Sequence, residues 1–209
     1  MSQTVLFIFE IVGTIAFAIS GAMTGLAKKM DIFGVAILGL TTATGGGLVR
    51  DVILGNTPPA TFRNPTYAVV ALFVSVLVFI PIVRRMMETK KAVFDTILLV
   101  MDSLGLGLFT VVGIQTAHSL SDSYGRFLLL FVGVITGVGG GMLRDIFAGD
   151  TPYVFKKHVY ATASLVGAAV CVAVWNTFGE TASMALGAAV VLVLRLCAAK
   201  YHWNLPKPE

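Results

Sequence analysis

The chain has 209 residues, 56% of them hydrophobic and only 12% charged, with a formal net charge of +4. Soluble domains average about 25% charged residues, so composition excludes an ordinary water-soluble fold and points to a bilayer. The basic balance accompanies no basic stripe or recognition motif, so nucleic acid is excluded as a partner.

Apolar stretches long enough to span a membrane fall at residues 4–27, 32–54, 66–83, 92–117, 125–148, 158–178 and 181–199. They predict an all-α integral membrane protein, one domain over 1–209 with seven transmembrane helices and short loops. The first stretch has small residues at Ser20, Gly21 and Ala22, as a signal-peptide cleavage site would. No positive region precedes it and Glu10 interrupts its apolar run, so it reads as a retained helix.

The second stretch carries GGGLVRDVILGNTP at 45–58, and the fifth carries GGGMLRDIFAGDTP at 139–152, 94 residues later. Gly45, Gly46 and Gly47, like Gly139, Gly140 and Gly141, cost a helix roughly 3 kcal/mol per tract against alanine. Arg50 with Asp51, and Arg144 with Asp145, each cost roughly 2.5–3.5 kcal/mol at bilayer depth. A chain bearing both costs twice is expected to use them. The reading is that helices 2 and 5 break at the triple glycines around a wet interior, where freed carbonyls and helix ends replace water around an ion. The alternative for the glycines is close helix packing. Neither tract matches a phosphate-binding loop.

The fourth stretch follows Lys90 and Lys91 and contains Asp102; Asp95 near its start reads as interfacial. Cys171 and Cys197 sit singly in the sixth and seventh stretches and read as apolar filler. His118, His158 and His202 all fall near stretch ends. Arg195, about a turn from the end of the seventh, is expected to snorkel to headgroups beside Tyr201 and Trp203.

With seven crossings, Lys28, Lys29, Arg84, Arg85, Lys90, Lys91, Lys156, Lys157, Lys200 and Lys207 share one side, ten of the fifteen basic residues. The positive-inside rule then puts the N-terminus outside and the C-terminus in the cytoplasm.

The duplication extends beyond the glycines. Glu10, Gly13, Phe17 and Gly21 align with Asp102, Gly105, Phe109 and Gly113 at an offset of 92; Phe62, Tyr67, Ala68 and Leu72 align with Phe155, Tyr160, Ala161 and Leu165 at 93. Residues 4–87 and 92–179 therefore form two three-helix repeats, with the helix at 181–199 unpaired. An odd number of crossings per unit makes the repeat inverted, with its axis in the membrane plane. Unpaired charges at depth are costly, so Glu10 is expected beside Arg50 and Asp102 beside Arg144. Arg50 and Asp51, neighbours on a helix, are not expected to face one another.

The duplicated motif and the 3+3+1 pattern resemble the prokaryotic branch of the trimeric intracellular cation channel family, whose domain is also called a glycine transporter. The resemblance covers essentially the whole chain. It implies a homotrimer in a prokaryotic inner membrane, with one pore per protomer bounded by helices 1, 2, 4 and 5. That pore is implied to pass chiefly K+ and also Na+, with kinks at the two glycine tracts. In animal members a lysine motif within the fourth helix engages an anionic lipid; here Lys90 and Lys91 precede that helix and none lies within it, leaving them as candidate lipid-headgroup contacts.

A channel needs a continuous wet path, whereas a secondary transporter of glycine or another small solute needs a midplane site occluded from each side in turn. No catalytic or metal-ligand constellation appears at working spacing, so no enzyme activity, metal or cofactor is expected.

Overall fold

The computed structural model describes residues 3–121, 123–156 and 159–203. Lys157, His158 and Lys207 of the predicted topology lie outside them. Among the described residues the fold is all-helical: α1 (Gln3–Ala27), α2 (Ile32–Ile53), α3 (Ala60–Arg63), α4 (Thr66–Val78), α5 (Pro81–Thr89), α6 (Lys91–Leu120), α7 (Arg126–Phe147), α8 (Tyr153–Lys156) and α9 (Ala161–Lys200). Five of them, α1, α2, α6, α7 and α9, are long and apolar enough to cross a membrane.

Local chemistry explains the joints. The α1–α2 turn is tight, and the Asp31 carboxylate caps α2 by accepting the Gly34 N–H at 2.7 Å. The third predicted span is not one continuous helix: α4 stops before Pro81, which has no N–H to continue the ladder, and α5 departs at 59°. Arg84, Arg85 and Lys90 thus fall on or beside a short helix turned away from the bundle axis.

The sixth and seventh stretches are the two arms of α9, interrupted at Gly179 with φ 76° and ψ 170°. That backbone region is essentially restricted to glycine. A methyl group on Gly167 would lie 2.8 Å from the Gly187 carbonyl oxygen, and one on Gly187 would lie 2.9 Å from that of Gly167. Twenty residues of straight helix would separate these glycines by about 30 Å. The arms therefore fold back on one another, antiparallel.

At the centre α1, α2, α6 and α7 pack on each other; α4 covers α1 and α2, and α9 covers α6 and α7. The core joins both halves through Phe17, Ala43, Ala71, Leu106, Val138 and Tyr160. Large apolar side chains face outward, including Phe73, Ile82 and Phe127, a surface suited to lipid and unsuited to water.

One expectation is overturned here. α2 and α7 keep helical structure through Gly45–Gly47 and Gly139–Gly141, with no break at either tract. The glycines serve a different need, visible where the two helices cross.

Candidate functional site

The α2–α7 crossing is as close as backbones allow. A methyl group on Gly46 would overlap the Thr136 carbonyl oxygen, and one on Gly140 would overlap that of Thr42. One on Gly139 would sit 3.1 Å from the Gly46 Cα. Reciprocal contact, in which each element offers the other the same surface, is what a local twofold produces. The pattern recurs around it: Gly21 abuts Thr42 as Gly113 abuts Thr136, and Gly105 abuts Phe17 as Gly13 abuts Phe109. Both threonine hydroxyls donate back to their own helices, Thr42 to Leu38 O and Thr136 to Val132 O, each at 2.6 Å. The two phenyl rings meet at 5.3 Å.

A polar site flanks the crossing on each helix, one turn beyond the glycines. In the first, Arg50 Nε donates to Asp51 Oδ1 at 2.8 Å, and Asp51 Oδ2 accepts the Ala60 N–H at 2.8 Å. In the second, Arg144 Nε donates to Asp145 Oδ1 at 2.9 Å, and Asp145 Oδ2 accepts the Tyr153 N–H at 2.8 Å. Each aspartate thus binds its neighbouring arginine and the start of the short helix that follows. Opposite Arg50, the Tyr67 hydroxyl donates to Glu10, and Glu10, Arg50, Thr14, Thr44 and Tyr67 line a cavity of about 50 Å³. Opposite Arg144, Nη1 reaches Asp102 Oδ1 at 2.5 Å and Ser20 Oγ at 2.6 Å, with the Tyr160 hydroxyl 3.4 Å from the same carboxylate oxygen.

The sequence model of the family described as "Glycine transporter" matches this chain twice, at residues 7–81 and 99–176, one match for each polar site. The UPF0126 inner membrane protein YadS of Escherichia coli is 39% identical over 200 residues, covering 94% of this chain and 93% of its own length. A UPF0126 membrane protein of Deinococcus radiodurans is 37% identical, over 94% of this chain and 89% of its own. Among solved structures, a TRIC cation channel shares 33% identity with a TM-score of 0.84, covering 100% of this chain and 98% of that one. The TRIC trimeric intracellular cation channel orthologue from Rhodobacter sphaeroides shares 31% at 0.85, covering 96% and 100%. The chain belongs to the prokaryotic TRIC family. It is accordingly a multi-pass integral membrane protein of a non-enzymatic family.

Within this TRIC-family chain the predicted site residues are brought together unevenly. Asp102 and Arg144 form the expected ion pair, both 1% exposed. Glu10 shares a cavity with Arg50 but is not ion-paired to it; its direct partner is Tyr67. The expectation that Arg50 and Asp51 do not face one another fails, and Arg144 meets Asp145 in the same way. Their Cβ directions diverge by about 100°, but an arginine is long enough to return its Nε to the next side chain. Lys90 and Lys91 are exposed at the α5–α6 junction, and Asp95 is exposed nearby.

Arg195 does not snorkel. It is 3% exposed, with its guanidinium 4.8 Å over the Tyr160 ring and Nη2 3.7 Å from Asp102 Oδ2. Burial beside the Asp102 carboxylate and the Tyr160 ring outweighs a reach to headgroups, and Tyr201 and Trp203 stack without it at 6.3 Å. Sequence reasoning also passed over Ser20, Tyr67 and Tyr160 as site residues. The tyrosines carried a signal, since they recur at the repeat offset; Ser20 carried none. His118 stacks on Trp175 at 4.4 Å, and Cys171 is buried with Met184 and Ala168.

Proposed function

We propose that the protein is a monovalent cation channel, passing chiefly K+ and also Na+, with one pathway inside each protomer of a homotrimer. The observation that carries this reading is the glycine-lined α2–α7 crossing with a buried Arg–Asp site on either side of it. The likeness to TRIC cation channels over essentially the whole chain supports it. The path runs between α1, α2, α6 and α7, where carboxylates, hydroxyls and helix carbonyls are the groups that replace a cation's water. Gly45, Gly46 and Gly47, with Gly139, Gly140 and Gly141, let the two helices approach at its narrowest level. Glu10, Arg50 and Asp51 tune one end; Asp102, Arg144 and Asp145 tune the other.

In this reading the chain crosses the membrane seven times, α4 and the two arms of α9 supplying the third, sixth and seventh crossings. Residues 4–87 and 92–179 are inverted repeats, 181–199 is the unpaired helix, the N-terminus is outside and the C-terminus is cytoplasmic. Trimer contacts use apolar faces of the repeat helices, and apolar side chains seal the threefold axis. Lys90 and Lys91 meet lipid headgroups at the cytoplasmic face, beside the interfacial α5. Single-channel recording of purified protein in planar bilayers tests the reading. Unitary K+ currents support it; their absence, with saturable glycine uptake into proteoliposomes, favours instead the transporter suggested by the family's description.

A further inference from the structure

Duplication makes the two polar sites equivalent, and the arm outside the repeats makes them unequal. The first site sets Glu10 and Asp51 against Arg50 alone, a formal charge of −1. Among the described residues the second sets Asp102 and Asp145 against Arg144 and Arg195, a formal charge of zero. Arg195 comes from the arm beyond Gly179, past the end of the second family match at residue 176, so the first repeat has no counterpart to it. Other charges nearby among the described residues do not restore the balance. Lys28 and Asp150 pair with each other at 2.7 Å beside the second site, and Arg63 beside the first is exposed and held by Asn56.

The placement of Arg195 suits a role exercised through charge. Its Nη2 stands 3.7 Å from Asp102 Oδ2, beyond hydrogen-bond distance, and it leaves the Asp102–Arg144 pair intact. The two sites are also far enough apart to act separately. With Gly46 beside Gly139 in an antiparallel crossing, Arg50 lies four residues beyond on one helix and Arg144 five residues beyond in the opposite direction. Nine residues of rise place them about 14 Å apart along the axis, more than the screening length of about 10 Å in 0.1 M salt.

We propose that Arg195 sets the polarity of the pathway: by neutralising the Asp102 site it leaves only the Glu10 end attractive to cations, so that K+ passes more readily in one direction. This rests on the channel reading above. A unit charge about 10 Å from an ion in a water-filled path, screened over about 10 Å in 0.1 M salt, changes its local concentration roughly 1.3-fold, and that is the rectification expected.

The test is single-channel current at equal positive and negative voltages in symmetrical KCl, for wild type, R195Q, R195K and E10Q. Wild type should pass roughly 1.3-fold more current one way in 0.1 M KCl and lose the difference in 1 M, where the screening length is about 3 Å. R195Q makes both ends −1 and E10Q makes both neutral. Both should conduct symmetrically, R195Q by raising the weaker direction and E10Q by lowering the stronger. R195K should retain the wild-type ratio, which a purely packing role for the guanidinium would not give. A conducting R195Q or E10Q with the wild-type ratio overturns the proposal, as does a wild type symmetrical in 0.1 M KCl. Should R195Q not assemble, E10Q decides, since Glu10 is only half-buried. Absence of any wild-type current overturns the channel reading itself, an outcome distinct from a channel whose ratio does not move.

Discussion

Replacing Gly46 with alanine sets a methyl group against the Thr136 carbonyl oxygen, a backbone atom with no rotamer to escape into. Relief requires α2 and α7 to part by about 1 Å, and overpacking of this kind costs about 1–3 kcal/mol. Alanine's better helix propensity returns about 1 kcal/mol. One position on, Gly47 has as its nearest neighbour Arg50 Nη2, 3.7 Å from the position of an added Cβ, an ordinary contact with a flexible side chain. Gly47→Ala therefore collects the propensity gain with little steric loss. The propensity gain is common to both, so the two neighbouring alanines should differ by about 1–3 kcal/mol in stability, Gly46→Ala the less stable and Gly47→Ala at or above wild type. Unfolding by denaturing detergent in mixed micelles, followed by far-ultraviolet circular dichroism, gives both midpoints. K+ flux into proteoliposomes should fall in Gly46→Ala and persist in Gly47→Ala. Equal midpoints for the two variants would refute the view that the tract exists for the crossing, and would return it to the role of a flexible break.

Asp102→Asn leaves Arg144 with Asp145 alone and Arg195 without its acid in a buried site, so it should destabilise the protein by about 3–5 kcal/mol; Glu10→Gln, at a half-buried position, should cost much less in the same unfolding assay. Gly179→Ala forces a side chain into a glycine-only backbone region, with an expected loss of about 1–3 kcal/mol, measurable as a lower detergent midpoint. Lys28→Ala breaks an exposed pair whose side chains are 36% and 41% accessible, and the midpoint should move by less than about 1 kcal/mol equivalent.

Composition and periodicity alone determined a lipid-embedded helical protein, because 12% charge cannot clothe a soluble surface of this chain length. The repeat offset likewise determined which residues would be equivalents, and Asp102 with Arg144 followed from the cost of an unpaired charge at depth. Tertiary structure decided the rest. A triple glycine raises backbone freedom and lowers steric bulk at once, and only the partner helix at the crossing reveals which property is used; here Thr42 and Thr136 carbonyls occupy the space a Cβ would take. Neighbour geometry on an ideal helix forbade Arg50–Asp51 and Arg144–Asp145, yet both form, because each aspartate turns to the Ala60 or Tyr153 N–H of the next segment and brings its other oxygen within an arginine's reach. Arg195 could not be placed from its own helix, where no acid stands near it. Its partner, Asp102, lies 93 residues earlier in the chain, and such distant pairing is settled by how α9 folds back at Gly179 onto α6 and α7, a property of the packed bundle that no local pattern records.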